Sequence, residues 1–109
     1  MVKQGDIIKL NFNPSLGHEQ QGYRPAIILS SNIVGKFSGL YIIAPISSTD
    51  RSYPAYHKLT TTTNISGQIL LDQTIALDLV ARKYKFIEKI DKNELIDIIN
   101  HYKLLFDID

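Results

Sequence analysis

The segment Gly17-His-Glu-Gln-Gln-Gly-Tyr-Arg24-Pro25 gathers residue types able to act on an anion. It is a polar loop with two glycines and one cation, and it ends where an apolar run begins; loops set by a rigid strand commonly carry function. Pro25 presses the residue before it toward an extended backbone and so fixes the direction of the Arg24 guanidinium. A planar guanidinium held this way offers two donors to a phosphate without losing its charge; a surface ion pair is its plainer use. Further on, Pro45-Ile46-Ser47-Ser48-Thr49 sets three hydroxyls where a strand turns. They could hold a phosphate oxygen, or bond their own backbone as turn residues do.

Short apolar runs must position these groups. Asp6 to Phe12 alternates, with Ile8, Leu10 and Phe12 on one side and Ile7, Lys9 and Asn11 on the other, the period of a half-buried strand. Pro25 to Ser30 is a second strand headed by proline. Leu40 to Ile46 is a third, in which Pro45 donates no ladder bond and so implies an edge position or a bulge. His57 to Thr61, Gln68 to Asp72 and Lys85 to Ile90 read as further strands, the last with Phe86 and Ile90 set against charged neighbours. Asp91-Lys-Asn-Glu94 has capping-box spacing, with Asp91 accepting from backbone amides and Glu94 reaching back to the cap. Leu95, Ile98, Ile99, Tyr102, Leu105 and Phe106 then form one helical apolar stripe that packs on the sheet. A short helix is expected near Leu77 to Arg82. The sum is a mostly β fold with α: a small, curved antiparallel sheet resembling an SH3-like barrel, with a C-terminal helix.

The 109 residues fit a single domain, 1–109, with no internal repeat or linker. Apolar residues at 44% and charged residues at 21% exclude a disordered chain. Without cysteine there are no disulfides or thiolate metal sites, and His18, His57 and His101 are scattered without ligand spacing, so no metal or cofactor is expected. No run approaches the roughly 18 continuous apolar residues of a membrane span, which makes a cytoplasmic location the expectation. Net charge is only +1, but Arg82, Lys83, Lys85, Lys89 and Lys92 outnumber Glu88 and Asp91 locally. That stretch is either a phosphate-contacting surface or a solvated face.

The run GDIIKLNFNPSLGHEQQGYRPAIILS closely resembles the opening of MazF/PemK toxins, whose pattern is a GD start followed by G-x-E-Q-x-G-x-R-P-A and an apolar strand. APISS with SYPAYHKL resembles the family's second block, and ILLDQTIALD its third, so the likeness spans nearly the whole chain. It implies a homodimeric toxin of a type II toxin–antitoxin system that cleaves single-stranded RNA at short motifs, and a cognate MazE-like antitoxin. The family's catalytic arginine falls on Arg24 and its catalytic threonine on Ser47, with Ser48 adjacent. Serine keeps the hydroxyl but loses the methyl that stiffens χ1.

Metal-free RNA cleavage uses the ribose 2′-OH as internal nucleophile, so the enzyme must move two protons and stabilise a phosphorane-like charge. Arg24 supplies the last, and Ser47 holds a non-bridging oxygen. An arginine makes a poor base, which leaves Glu19 as the candidate base or as an ion-pair partner that positions Arg24. His18 has a suitable pKa but also reads as a surface histidine. Substrate binding is expected at His18, Gln20, Tyr23, Ser48, Tyr53, Tyr56, Gln73 and Arg82, the tyrosines either stacking on bases or packing between strands. After the Asp72-Gln73 pair, Ile75 stands where many relatives have Arg or Lys. A CcdB-like gyrase poison of the same architecture is the first alternative, although it would need a C-terminal Trp-Gly-Ile that this chain lacks. A non-cleaving RNA- or DNA-binding module is the second.

Overall fold

The computed structural model describes residues 1–12 and 24–109. In chain order the elements are β1 (Asp6–Leu10), β2 (Arg24–Ile28), α1 (Asn32–Ser38), β3 (Leu40–Ser47), β4 (Tyr56–Lys58), β5 (Gln68–Leu70), a 3-10 turn (Leu71–Gln73), β6 (Ile75–Asp78), β7 (Tyr84–Lys89) and α2 (Lys92–Leu104). All strand pairs are antiparallel, in the order β4-β5-β3-β2-β1-β7, with β6 also paired to β3. Among the described residues the path does not close on itself. A small, mostly antiparallel sheet with a C-terminal helix is therefore what forms.

Both faces of the central strands are buried. Ile7 and Ile8 are each fully covered, so β1 is buried on both sides rather than half-buried. Ile7, Ile27, Ala44 and Ile46 join Leu59, Ile69, Ile90 and Ile98 in a core beneath α2. The alternate positions Ile8, Leu10, Ala26, Ile28, Tyr41 and Ile43 form a second core with Val2, Leu77 and Leu79. Two-sided burial follows when side chains alternate across a sheet and each face finds its own cover.

Pro45 lies in the central strand β3, not at an edge. The Ile42 N–H donates to Ser30 Oγ (3.0 Å) and the Ile42 carbonyl accepts from the Leu29 N–H (2.9 Å). Even-numbered residues of β3 thus turn their backbone polar groups toward β2, and odd-numbered ones toward the other edge. On that edge the ladder pairs Ile46 with Ile69 and then, after the 3-10 turn, Ile43 with Ile75. The interruption faces Ala44 and Pro45, so the absent proline donor falls where there is no strand partner.

Three expectations are corrected. The segment near Leu77 to Arg82 is not helical: Ile75–Asp78 is β6, followed by a turn in which Asp78 Oδ1 accepts from the Val80 and Ala81 amides. Phe86 and Ile90 do not share a buried face, because a bulge at Ile87 shifts the β1/β7 register between Ile7 and Ile8; Ile87 packs on the core and Phe86 is 54% exposed. The stripe on α2 holds at Leu95, Ile98, Ile99 and Tyr102, but Phe106 stays largely in solvent, edge-on to Tyr102. Sequence reading also passed over α1. Its apolar residues Ile33 and Phe37 point outward, and its buried position is Gly35, where a Cβ would strike the Tyr41 ring.

Asp91 caps α2, accepting from the Asn93 and Glu94 amides at 3.0 and 3.2 Å. Glu94 does not complete a capping box. Its buried carboxylate instead accepts from the backbone amides of Thr60 (2.8 Å) and Thr61 (2.9 Å) and from both threonine hydroxyls. Glu88, on β7, does the same for Thr63, Asn64 and Ile65. Two carboxylates thus fasten the 59–67 connection, which has no ladder of its own. Burial works to raise the Glu94 carboxyl, but the bonds from Thr61 and Thr60 outweigh it and hold it below the ordinary value of 4.5. A depressed carboxyl stabilises the fold above that value, and the contribution disappears as pH falls through the folded-state pKa. Glu94→Gln sets an amide against amide donors, so at pH 7 it should cost about 1–3 kcal/mol. The variant should also lose part of the wild-type acid dependence below pH 4.5, both read from urea midpoints across pH.

Candidate functional site

Arg24 opens β2 and is solvent-exposed, paired through its backbone with Leu10 of β1. The β2/β3 register sets Ile28 against Ile43, Ile27 against Ala44 and Ala26 against Pro45. Continued by two residues, that register puts Arg24 across from Ser47, the last residue of β3. Directly opposed residues share a sheet face, with Cβ atoms about 4.5–5.5 Å apart. A guanidinium and a hydroxyl so placed can share one anion.

Ser47 Oγ accepts from the Thr49 amide at 3.1 Å, and Thr49 Oγ1 accepts from the Arg51 amide at 3.1 Å. Turn chemistry is therefore real here, but it uses an oxygen lone pair and leaves the Ser47 hydroxyl hydrogen to serve as a donor. Gln68 Nε2 donates to the carbonyls of Thr49 (3.0 Å) and Arg51 (2.9 Å), holding the chain as it leaves β3. Behind it, Gly67 has φ +128°, and a Cβ there would lie 2.2 Å from the Ser47 carbonyl oxygen.

Beside this turn is an open cleft of about 410 Å³, lined by Ser48 to Ser52, Lys58 and Ser66 to Gln68. Arg51 and Lys58 supply positive charge, and Asp50 is the acid. Tyr53 and Tyr56 follow the cleft along the chain; their rings meet edge to face with centroids 4.9 Å apart, and the Arg51 guanidinium lies 5.6 Å from the Tyr53 ring. Tyr53 is 42% exposed, enough to offer a ring to a ligand.

The other expected contacts are distributed. Arg82 is tied by Nη1 to the Asn11 carbonyl (3.0 Å), just past Leu10, whose other neighbour is Arg24; both arginines belong to the same end of β1. Gln73 is exposed in the 3-10 turn and is not among the cleft-lining residues. Ile75 is 37% exposed on β6, opposite Ile43. His18, Glu19, Gln20 and Tyr23 lie outside the described residues. Sequence reading missed Arg51, Lys58 and Gln68, which come from separate segments; the glycine before Gln68 was the available signal, since an isolated glycine beside a strand marks close backbone approach.

This fold, a small antiparallel sheet with a C-terminal helix, carries a strand-opening arginine on β2 and a strand-closing serine on β3. It superposes on the MazF component of a MazE-MazF complex from Deinococcus radiodurans with a TM-score of 0.83 at 29% identity, covering 99% of this chain and 97% of that one. A family model described as PemK-like, MazF-like toxin of type II toxin-antitoxin system matches residues 3–106, and the chain belongs to that family. Endoribonuclease toxin ChpB of Escherichia coli K12 is 33% identical over 78% of this chain and 77% of its own length. Endoribonuclease EndoA of Bacillus subtilis is 30% identical over 93% and 80%, respectively. Endoribonuclease toxin MazF of Escherichia coli K12 is 36% identical over 50 residues, about half the length of either chain.

Gly67→Ala tests the packing behind the Ser47 turn. A methyl aimed at a backbone carbonyl on a glycine-favouring φ should lower stability by more than about 1 kcal/mol and displace Ser47. Thermal unfolding together with the amide chemical shifts of Ser47 to Thr49 would report both effects; an unchanged spectrum would contradict the close approach.

Proposed function

We propose that this chain is a metal-independent endoribonuclease toxin that cuts single-stranded RNA by attack of the ribose 2′-OH on the adjacent phosphorus. The observation that supports this reading is the β2/β3 register, which, extended two residues beyond Ala26 and Pro45, sets Arg24 opposite Ser47. The attacking oxygen forms the new P–O bond, and the 5′-oxygen departs with its electron pair and takes a proton from solvent, leaving a 2′,3′-cyclic phosphate and a 5′-hydroxyl. Charge accumulates on the non-bridging oxygens as the bond forms. Arg24 offsets that charge from a fixed position, and the Ser47 hydroxyl donates to one of the same oxygens. Glu19, five residues before Arg24 in the chain, takes the 2′-OH proton in this scheme.

The cleft with Arg51 and Lys58 receives the phosphates, and Tyr53 and Tyr56 offer rings to unstacked bases. Ser48 and Arg82, with His18, Gln20, Tyr23 and Gln73, complete the proposed substrate contacts. A homodimer, a MazE-like antitoxin with an acidic segment and a cytoplasmic location belong to the same reading; among the described residues no helix is long and apolar enough to cross a membrane. With Ile75 in place of a basic residue, the cut-site preference of relatives does not carry over to this chain.

The decisive experiment incubates RNA with wild type, Arg24→Ala and Ser47→Ala in the presence of EDTA, then maps the ends. Wild type should give discrete fragments with 5′-hydroxyl termini. Arg24→Ala should be slower by on the order of 100 to 1,000 fold, with Ser47→Ala affected less. Intact RNA with wild type, loss of cleavage in EDTA, or 5′-phosphate ends would overturn the proposal.

A further inference from the structure

The segment bearing Tyr53 and Tyr56 is anchored from behind by the C-terminal helix. His101 of α2 has its Nε2 at 2.7 Å from the Pro54 carbonyl oxygen, and its Nδ1 at 2.9 Å from Nδ1 of His57 on β4. A carbonyl only accepts, so His101 Nε2 carries a hydrogen. In the neutral pair His101 Nδ1 is then the acceptor and His57 Nδ1 the donor. The bonds run in one direction, from His57 through His101 to Pro54. The Tyr56 amide closes the same turn on the Tyr53 carbonyl (2.9 Å), and the Ala55 carbonyl accepts from the Leu71 amide (3.0 Å). His101 is thus the side-chain donor in a turn whose two ends carry the paired rings.

We propose that His101 is a positioning residue for RNA binding: by holding the Pro54 carbonyl it fixes the Tyr53/Tyr56 ring pair as a base-stacking platform, with His57 setting its tautomer. This rests on the nuclease reading and adds to it a device 44 residues from His57 in sequence. The geometry also limits charge. One proton added to the pair is accommodated, because the doubly protonated ring donates to the neutral one. A second proton would face two N–H groups across 2.9 Å, and the pair must separate. Burial and then His101 lower the His57 pKa, while Glu94 and Asp97 on α2 act to raise it. The neutral His57 therefore favours the closed turn above the ordinary histidine value of 6.5, and that preference declines as pH falls through the lowered folded-state pKa.

Cleavage kinetics on a single-stranded RNA oligonucleotide, with KM and kcat resolved from pH 5.5 to 8, provide the test. His101→Ala should raise KM about tenfold, the scale of losing one stacked base, with kcat within about twofold of wild type. Amide exchange at Tyr56 should quicken in parallel, and His101→Gln, which retains a donor, should recover part of the KM. His57→Gln donates to His101 without titrating, so its KM should match wild type at pH 7.5 and lose the wild-type rise at pH 5.5. A wild-type protein that cuts RNA while His101→Ala leaves KM unchanged would overturn the positioning role alone. Equal losses in kcat and stability without a KM effect would also overturn it. A wild type that neither binds nor cuts RNA overturns the nuclease reading and this inference with it.

Discussion

The register between β2 and β3 is the constraint on which the site depends. Side chains alternate with a period of two, so a slip of one residue would send Arg24 and Ser47 to opposite faces of the sheet. The slip is opposed by two cores at once. Ile27 and Ala44 belong to the core beneath α2, while Ala26, Ile28 and Ile43 belong to the other. Moving either strand by one residue would exchange these sets and put mismatched volumes into both. A polar pair at the rim of the sheet is thereby located by apolar residues two to four positions away.

The same division of labour recurs where no strand is available. The 59–67 connection is held by Glu94 and Glu88, which satisfy backbone amides that a ladder would otherwise take. It delivers Gly67 against the Ser47 carbonyl and Gln68 onto the carbonyls of Thr49 and Arg51. The acidic residues of α2 and β7 thus reach the site through three short steps: carboxylate to loop, loop to Gly67, and Gly67 to the serine turn. Conformational entropy lost by ordering a loop of this length is offset locally rather than by distant packing.

Much of the frame could be read from residue order alone. Alternation marked β1, the apolar runs marked β2 and β3, and Asp91 with the stripe after it marked α2. The failures have physical causes. Leu77 and Leu79 are buried with the period of a strand, but the neighbouring Val80 and Ala81 blur that period into a helical one. Glu94 has capping-box spacing, yet four donors on Thr60 and Thr61 compete for its carboxylate and win. At the site, Arg24 and Ser47 were legible because a proline and a turn mark them. The β2/β3 register that bears on their relative position was not, because it depends on a pairing between segments far apart in the chain. For the same reason His57 and His101 looked scattered, although their rings lie 5.1 Å apart.

The bulge at Ile87 has a meaning beyond the two side chains it redirects. Among the described residues β7 ends the sheet path, pairing with β1 alone. Lys85 precedes the extra residue, and Lys89 beyond it reaches inward to Asp6 of β1 at 3.1 Å. A strand added beside β7 would meet amides set out of alignment by the extra residue. The bulge that redirects Phe86 and Ile87 thus also makes this margin a poor template for an added strand.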